Sequence, residues 1–272
     1  MNLSPHAEFR PCIDLHHGEV KQIVGSTLSD DDSTVRTNFV ASRDSSYFAA
    51  LYRRDNLTGG HVIKLGPGND EAAKRALAAW PGGLQVGGGI TAENAAGWLE
   101  AGAAQVIVTS YIFRDGELRH DRLEKLFRET GRDHLVLDLS CRRLPDGSYR
   151  IVTDRWQKFT DWTVDRSTLQ ELSAYATEFL VHAVDVEGKQ SGIDRDLLAL
   201  LAGASPIPCV YAGGIAGWQD IETVENIGRG RIHYTVGSAL DLFGGRLSYA
   251  ELVEHSRQGR VNCGETPRHT SA

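Results

Sequence analysis

The sequence predicts an α/β fold, a closed (βα)8 barrel of the TIM type with an internal two-fold half-barrel repeat. The first observation is that eight short apolar runs rich in β-forming residues alternate with segments of helical periodicity, which is typical of parallel βα units. The second is that LQVGGGI (residues 84–90) and PCVYAGGI (residues 208–215) both run into paired glycines. Eight such units in about 250 residues favour a closed barrel over an open doubly wound sheet.

Each predicted strand is followed by a predicted helix, and two of the helices show clear end signals. NDEAAKRALAAW starts with an asparagine and two acids, which favour a helix N-terminus. TAENAAGWLEAG starts on threonine and stops on glycine, the residue preferred just beyond a helix. The predicted strands are residues 9–15, 61–65, 84–87, 105–109, 134–139, 179–184, 208–212 and 232–236. The predicted helices are residues 43–55, 69–80, 91–102, 121–130, 167–177, 194–202, 218–228 and 248–257.

Two connections are longer than a barrel requires. Residues 18–42 form a long polar segment after the first strand, which fits either a lid or an ordinary surface loop. Residues 141–165 contain Pro-Asp-Gly between two β-prone runs, which predicts a hairpin insertion. No linker-like stretch divides the chain, so we expect one barrel domain over residues 1–258 and a disordered tail over residues 259–272.

Composition excludes several classes of function. The chain of 272 residues has a net charge of −7 and a pI near 5.8, which argues against a nucleic-acid or anionic-membrane surface. The four cysteines lie far apart, with no CxxC pair and no histidine at zinc-ligand spacing, so we expect reduced thiols and no metal site. A signal-peptide pattern is missing, and no apolar run approaches the roughly 18 residues that span a bilayer. We therefore expect a cytoplasmic protein, and a monomer.

The repeat extends beyond the glycine motifs. Gly88 and Gly213 are 125 residues apart, and the strand after each motif ends in small residues, VIVTS in one copy and YTVGS in the other. The offset is half the domain, so it corresponds to four βα units. In a barrel these positions all fall at the carboxyl ends of strands, where barrel enzymes keep their active sites.

Glycines at such strand ends let backbone N–H groups approach an anion, and the N-terminus of the next helix adds partial positive charge. Paired glycines equally permit a tight strand-to-helix turn, and one copy alone does not decide between the two. Two copies favour two phosphate sites, and hence a substrate with a phosphate at each end. The predicted phosphate-binding residues are Gly88, Gly89, Thr109 and Ser110 in one half, and Gly213, Gly214, Gly237 and Ser238 in the other.

Two aspartates lie between these predicted sites. Asp14 ends the first strand and Asp138 the fifth, 124 residues apart. A lone aspartate in this place is more often a helix cap or a salt-bridge partner. Two symmetry-related ones supply the base and the acid that aldose–ketose isomerisation requires. The sixth strand ends in LVHAVDVEGKQSG and adds His182, Asp185 and Glu187 nearby.

Several segments together resemble a known family, the phosphoribosylformimino-5-aminoimidazole carboxamide ribotide isomerases of histidine biosynthesis in their eukaryotic-type form. The segments are FRPCIDLHHGEVKQIVGS, QVGGGIT, LVLDLSCR, FLVHAVDVEGKQSGID and VYAGGIA. The resemblance implies a two-fold symmetric (βα)8 barrel that needs no metal or organic cofactor. It also implies an Amadori rearrangement of the aminoaldose ProFAR, a small molecule with two phosphates, to the aminoketose PRFAR.

The resemblance also implies roles for residues. Asp14 matches the family's proton acceptor and Asp138 its proton donor. The bacterial-type pattern has Thr-Asp where this chain has His182-Ala183, and Asp-Gly where it has Glu187-Gly188, so we expect His182 to orient or assist the acid and Glu187 to bind ring hydroxyls. The block RIVTDRWQ resembles the family's substrate-covering loop. Its Trp156 either stacks on the substrate or packs permanently on the barrel rim.

Two alternatives fit the same pattern. The half-barrel repeat also occurs in the sister cyclase that makes imidazole glycerol phosphate, which would need a glutaminase partner. HAVDVEG and the DRWQ hairpin favour the isomerase. The other alternative is a barrel that binds phosphate ligands without catalysis, and the presence of both aspartates argues against it.

Overall fold

The computed structural model of the protein is a (βα)8 barrel and describes residues 6–23 and 37–262. Residues 24–36 of the predicted lid and residues 263–272 of the predicted tail lie outside the described residues. The eight barrel strands are β1 (Cys12–His16), β2 (Gly60–Lys64), β3 (Leu84–Gly87), β4 (Gln105–Val108), β5 (Leu135–Asp138), β6 (Glu178–His182), β7 (Cys209–Ala212) and β8 (Ile232–Tyr234).

Hydrogen bonds between the two ends of the sheet close the barrel. The strands pair in parallel in chain order from β1 to β8. The segment that precedes β1 then pairs with β8. The N–H of Arg10 donates to the carbonyl of Tyr234 (2.8 Å), and the N–H of Tyr234 donates to the carbonyl of Glu8 (3.1 Å). The closed barrel that the sequence predicts is therefore confirmed.

A helix follows each barrel strand, as the sequence predicts. The helices are α1 (Ser45–Arg54), α2 (Asp70–Ala79), α3 (Ala95–Glu100), α4 (His120–Thr130), α5 (Arg166–Leu172), α6 (Arg195–Ala204), α7 (Trp218–Gly228) and α8 (Tyr249–Asn262). In three of them an aspartate at the N-cap accepts a backbone N–H of the first turn: Asp44, Asp165 and Asp194. Such caps contribute about 1 kcal/mol each. The last helix continues four residues past position 258.

Asn69 precedes α2, where the sequence predicts a capping side chain, but the side chain makes no cap hydrogen bond. Its Oδ1 accepts the N–H of Gly18 (2.8 Å), and its Nδ2 donates to the carbonyl of Gly66 (3.0 Å). Asn69 therefore ties the loop after β1 to the loop after β2. Asn69 does precede the helix, as the sequence predicts, but the predicted capping hydrogen bond is wrong, because tertiary contacts give its side chain other partners.

Antiparallel strands are inserted at the carboxyl ends of several barrel strands. One pair, Glu19–Ile23 with Thr37–Val40, continues the sheet beyond β1. A three-stranded sheet follows β5 and comprises Cys141–Arg143, Tyr149–Thr153 and Lys158–Thr163. Its first two strands flank the Pro-Asp-Gly turn from which the sequence predicts a hairpin. A short pair, Phe113–Arg114 with Glu117–Leu118, follows β4.

The barrel encloses a small apolar core that is separate from the core between strands and helices. Side chains along a strand alternate between the two. The enclosed core comprises Ile63, Ile107, Val136, Leu180 and Val210. Asp138 lies two residues beyond Val136 on β5, and His182 lies two residues beyond Leu180 on β6. Both polar side chains therefore share the inward face and lie above the apolar core, at the mouth.

Asp55 joins the first helix to the last. It directly follows α1 and is 7% exposed. Its carboxylate accepts hydrogen bonds from the Tyr249 hydroxyl (2.8 Å) and from the Arg257 guanidinium (3.0 Å), both on α8, and Arg54 donates to it from α1 (2.7 Å). The buried Asp55 carboxylate therefore connects α8, the last helix of the ring, to α1, the first.

Replacing Asp55 with alanine should lower the free energy of unfolding by about 2–3 kcal/mol, because the buried Tyr249 hydroxyl loses its acceptor and Arg257 its partner. Thermal unfolding followed by circular dichroism measures this change. Glu71→Ala is the matched control: it removes an exposed ion pair with Lys74 and should change the free energy by less than about 0.5 kcal/mol. Equal losses in the two variants would contradict the role given to Asp55.

Candidate active site

Two adjoining cavities open where the barrel strands end, with volumes of about 820 Å³ and about 30 Å³. Asp14, His182 and Glu187 border both. The larger cavity is also bordered by Gly88, Gly89, Thr109, Ser110, Asp138 and Trp156. The smaller one is also bordered by Gly213, Gly214, Gly237 and Ser238. Every residue that the sequence predicts for the site is thus at the mouth, and the two halves of the repeat border different cavities.

Asp14 lies on the inward face of β1 and is only partly exposed. Gln22, on the neighbouring antiparallel strand, donates from its Nε2 to the Asp14 carboxylate (3.0 Å). Burial of the carboxyl group, with a smaller effect of the Glu187 carboxyl, raises the pKa of Asp14 to about 6. A carboxylate with a pKa close to neutral is a much stronger base than an ordinary aspartate, which suits it to proton abstraction.

Asp138 ends β5 in a different environment. The backbone N–H and the hydroxyl of Ser140 both donate to its Oδ1, at 2.8 and 2.5 Å. Burial acts to raise the pKa of Asp138, but the adjacent His182 ring and the two Ser140 donors outweigh burial and hold that pKa below its usual range. Without substrate, Asp138 is therefore an ionised carboxylate.

Ser140 also connects Asp138 to His182. The His182 Nδ1 lies 2.9 Å from the Ser140 hydroxyl oxygen and 3.9 Å from the Asp138 Oδ1, and the longer distance exceeds that of a direct hydrogen bond. The Ser140 hydroxyl donates its hydrogen bond to Asp138, so its oxygen accepts a hydrogen bond from the Nδ1–H of His182. Burial acts to lower the pKa of His182, but Asp138 outweighs burial and raises it. Asp138, Ser140 and His182 thus form one hydrogen-bonded network, in which His182 retains its proton more firmly than an ordinary histidine.

Glu187 follows β6 and faces the same space. Burial raises the pKa of its carboxyl group. Its Oε2 is buried, and no hydrogen-bond donor among residues 6–23 and 37–262 meets it. A buried acceptor of this kind is costly to leave without a donor, so it is well placed to receive a hydroxyl group from a bound molecule.

The two glycine pairs are alike in backbone conformation and different in surroundings. Gly89 and Gly214 have φ values of 68° and 77°. A Cβ on Gly89 would enter open space, whereas a Cβ on Gly214 would overlap with the Gly192 carbonyl oxygen. The N–H of Gly192 also donates to the Gly214 carbonyl (3.0 Å). A Cβ on Gly88 would overlap with the Lys64 carbonyl oxygen, so within the first pair only Gly89 is open to the large cavity. The loop after β6 covers Gly214.

The turn between the second and third strands of the sheet after β5 forms the hairpin tip that borders the large cavity, which the first glycine pair also borders. The N–H of Asp154 donates to the Ser110 hydroxyl (3.1 Å), so Ser110 holds the hairpin as well as bordering the cavity. Asp154, Arg155 and Trp156 have φ values of 52°, 55° and 63°. Three consecutive side-chain-bearing residues in the left-handed region are uncommon, and such strain tends to occur at functional sites. Trp156 is half-buried, with its ring centroid 5.1 Å from that of His182.

Asp185 is turned away from the cavities. Its carboxylate accepts from the Arg142 guanidinium (3.1 Å) and from the backbone N–H of Arg143 (2.9 Å), both in the hairpin. It anchors the base of the hairpin to the loop after β6. Its position next to His182 and Glu187 in the sequence is therefore not a sign of a role in the chemistry.

Of the polar residues at or beside the mouth that sequence reasoning missed, three contact groups of the site or carry its charge. Two of them, Gln22 and Ser140, bond to the paired aspartates. The third is Lys64, which borders the large cavity with its Nζ 2.8 Å from Asp70 and 3.8 Å from the centre of the Trp98 ring. The sequence did contain a signal for Lys64: it is a charged residue at the carboxyl end of a barrel strand, as Asp14 is near the end of β1. Nothing in the sequence marked Gln22, because its partner is set by strand pairing.

The fold and the mouth place the protein among the (βα)8-barrel enzymes. Within that class, the chain belongs to the family described as histidine biosynthesis protein, whose model matches residues 8–247.

Similar proteins include three that are named 1-(5-phosphoribosyl)-5-((5-phosphoribosylamino)methylideneamino)imidazole-4-carboxamide isomerase. The protein from Medicago truncatula, whose name adds "chloroplastic", is 51% identical over 261 residues, covering 94% of this chain and 83% of the relative. The one from Neurospora crassa is 50% identical over 253 residues, covering 92% and 98%. The one from Saccharomyces cerevisiae is 46% identical over 246 residues, covering 88% and 94%.

The difference between the two glycine pairs predicts unequal effects of the same substitution. Gly89→Ala should cost about 1 kcal/mol of unfolding free energy, from the positive φ alone. Gly214→Ala has the same backbone cost and in addition must displace Gly192, so we expect a loss of about 3 kcal/mol. Thermal unfolding of the two variants measures the difference, and each serves as the other's control. Equal losses would show that the loop after β6 does not constrain Gly214.

Proposed function

We propose that this protein is an isomerase that converts the bis-phosphorylated aminoaldose ProFAR to the aminoketose PRFAR by an Amadori rearrangement in histidine biosynthesis. One structural observation carries the proposal. Asp14 and Asp138 face one barrel mouth, and their surroundings move their pKa values in opposite directions. Pairs of carboxyl groups tuned apart in this way are typical of acid–base catalysis. The names of the relatives support the isomerase and give no support to the sister cyclase or to a non-catalytic barrel.

Asp14 is the base in this proposal. Its raised pKa makes it able to accept the proton on C2 of the ring-opened substrate while it remains largely ionised at neutral pH. The Gln22 amide, which donates to one carboxylate oxygen, fixes the orientation of the other. Removal of the C2 proton from the imine leaves an enolamine, which becomes the ketose when C1 takes up a proton and the C2 hydroxyl loses one.

The acid is the chain of Asp138, Ser140 and His182 as a unit. Ring opening needs a proton on the furanose oxygen, and an ionised Asp138 alone has none to give. His182 holds a proton more firmly than an ordinary histidine because Asp138 lies beside it, and Ser140 links the two groups. This refines the role implied by resemblance, in which Asp138 by itself is the donor.

The two phosphates occupy the two glycine pairs in this proposal. Gly88 and Gly89, with Thr109 and Ser110, receive one phosphate at the open end. Gly213 and Gly214, with Gly237 and Ser238, receive the other beneath the loop after β6. Backbone N–H groups at such positions bind anions without requiring many charged side chains. Lys64, 9% exposed at the border of the large cavity, adds one positive charge there.

Glu187 and Trp156 orient the substrate. The buried Oε2 of Glu187 accepts a ring hydroxyl, in agreement with the expectation for this position. Trp156 is part of the strained hairpin tip, and its ring lies beside that of His182. The flat imidazole carboxamide of the substrate can stack on the Trp156 ring when it binds there.

We further propose that the enzyme acts as a cytoplasmic monomer, as one domain over residues 1–258, and without a metal or organic cofactor in catalysis. The side chains of the mouth can supply the base, the acid and the charge that the rearrangement uses, which supports a cofactor-free mechanism. Among the described residues, no helix is long and apolar enough to cross a membrane.

Asp14→Asn should lower turnover of ProFAR at least about 10³-fold and leave substrate affinity nearly unchanged, because the phosphate contacts remain while the base is lost. Steady-state kinetics and calorimetric binding on the purified protein measure the two effects. Asp138→Asn should be similarly harmful. Near-normal turnover of Asp14→Asn would end the assignment of the base.

Gln22→Leu is the matched variant that keeps the base and changes its pKa. The Gln22 amide stabilises the ionised form of Asp14, so its loss should raise that pKa above about 6. Since the base must be ionised, the acid limb of the pH profile of kcat/KM should move to higher pH. Activity should therefore fall near pH 6 and remain close to wild type near pH 8. An unchanged acid limb would mean that another group controls it.

Trp156→Ala should raise KM and lower kcat while the melting temperature barely moves, because the side chain contacts substrate when the hairpin covers it. Trp162→Ala is the control from the same hairpin. Its ring packs edge-on against Phe113 and His120, at 6.5 and 6.3 Å, so it should lower the melting temperature and spare the kinetics. A stability loss in Trp156→Ala without a kinetic one would show that this ring packs permanently on the barrel rim.

A further inference from the structure

Three metal-ligating side chains meet on the outside of the barrel, away from the mouth. They are His6, which precedes β1, Glu225 on α7 and His255 on α8. Their donor atoms all lie within 4.8 Å of one another. The Glu225 Oε1 lies 3.1 Å from the His6 Nδ1 and 2.8 Å from the His255 Nε2. The sequence shows no such cluster, because the three residues come from widely separated parts of the chain.

The donor set and its spacing suit a small divalent transition ion. Two imidazoles and one carboxylate are a common set for Zn²⁺, with bonds of about 2.0–2.1 Å. In a tetrahedral shell such bonds place neighbouring donors about 3.3 Å apart. The two contacts to Glu225 are 3.1 and 2.8 Å, slightly shorter than that value, and the two imidazole nitrogens lie within 4.8 Å of each other. The side chains must therefore shift to receive an ion, but all three donors are already gathered.

One oxygen of the carboxylate already faces both imidazoles, since Glu225 Oε1 is the atom nearest to His6 Nδ1 and to His255 Nε2. Each imidazole ligates through a lone pair, so a neutral ring must carry its proton on the other nitrogen, and a protonated ring must release one proton. The ion then replaces the shared hydrogen bonds with coordinate bonds from the same three atoms.

The cluster is enclosed but accessible. The exposed fractions of the side chains are 11% for His6, 19% for Glu225 and 33% for His255. An ion can therefore enter from solvent on the side of His255, and a water molecule can complete the shell there. The Trp218 ring packs edge-on against His255 at 5.4 Å between ring centroids, which restrains the imidazole and provides a nearby optical reporter.

We propose that His6, Glu225 and His255 form a binding site for Zn²⁺ or a chemically similar divalent transition ion, which clasps the N-terminal segment to the last two helices. The place matters for the fold. The segment that starts at His6 leads directly into the residues that pair with β8 and close the barrel. An ion at this site would thus stabilise the seam of the barrel and take no part in the chemistry at the mouth.

The test is a titration of the full chain, without a histidine tag and freed of metal, with ZnCl₂ by isothermal titration calorimetry and by thermal unfolding. We expect one ion per chain and a melting temperature higher by about 5 °C when zinc is saturating. Glu225→Gln is the decisive variant, because the amide oxygen still accepts from both histidines and keeps the fold while it ligates poorly. It should weaken zinc binding at least about tenfold, and so should His255→Ala.

His120→Ala is the matched control. His120 lies 3.7 Å from Glu171 on the surface, a histidine–carboxylate pair without a second histidine, and its loss should leave zinc binding unchanged. Cu²⁺ should quench part of the tryptophan fluorescence in the wild type, and this part should disappear in Trp218→Phe. Zinc affinity in Glu225→Gln equal to that of the wild type, or no zinc binding by the wild type, would overturn the proposal and leave the cluster a hydrogen-bonded clasp.

Discussion

The closing hydrogen bonds between residues 8–10 and β8 are the interaction on which the rest of the structure depends. In an open sheet, β1 would lie at one edge and β6 well across the sheet from it. Closure brings the carboxyl ends of all eight strands to one rim, so that Asp14 and His182 border the same cavity. The energy for this comes from two apolar cores, one inside the barrel and one beneath the helices. The helices in turn are held in a ring by contacts such as that of Asp55 with α8.

The mouth gathers three carboxyl groups in a small and partly enclosed space, which is electrostatically unfavourable unless their protons are redistributed. Burial and mutual repulsion raise the pKa of Asp14, and burial raises that of Glu187. Asp138 stays ionised because Ser140 and His182 compensate its charge. The same mouth thus holds one carboxyl group with a raised pKa and one with a lowered pKa, a pairing that is typical of acid–base catalysis.

The two halves of the barrel share a sequence pattern but are covered by different loops. The hairpin after β5 bonds to Ser110 and borders the large cavity, which the first glycine pair also borders. The loop after β6 bonds to Gly214, and its Gln190 donates to the carbonyl of Ser238 (2.8 Å). Each loop comes from the second half of the chain and borders one of the two cavities. The repeated glycine pairs are therefore alike in backbone conformation and different in the segments that lie beside them.

The sequence by itself determined the barrel, the two glycine pairs, the strand-end aspartates and the hairpin at Pro-Asp-Gly, whereas the second turn, which carries Trp156, came from the structure. These features depend on local rules, namely the period of apolar residues, the conformations that glycine allows and the residues that favour turns. Tertiary structure alone decided that Asn69 bonds to neighbouring loops, that Asp185 faces the hairpin, and that Ser140 links Asp138 to His182. It also decided the opposite pKa shifts of the aspartates and the meeting of His6, Glu225 and His255. These depend on distances between residues remote in the chain and on the exclusion of water around them, and both arise only once the barrel has closed.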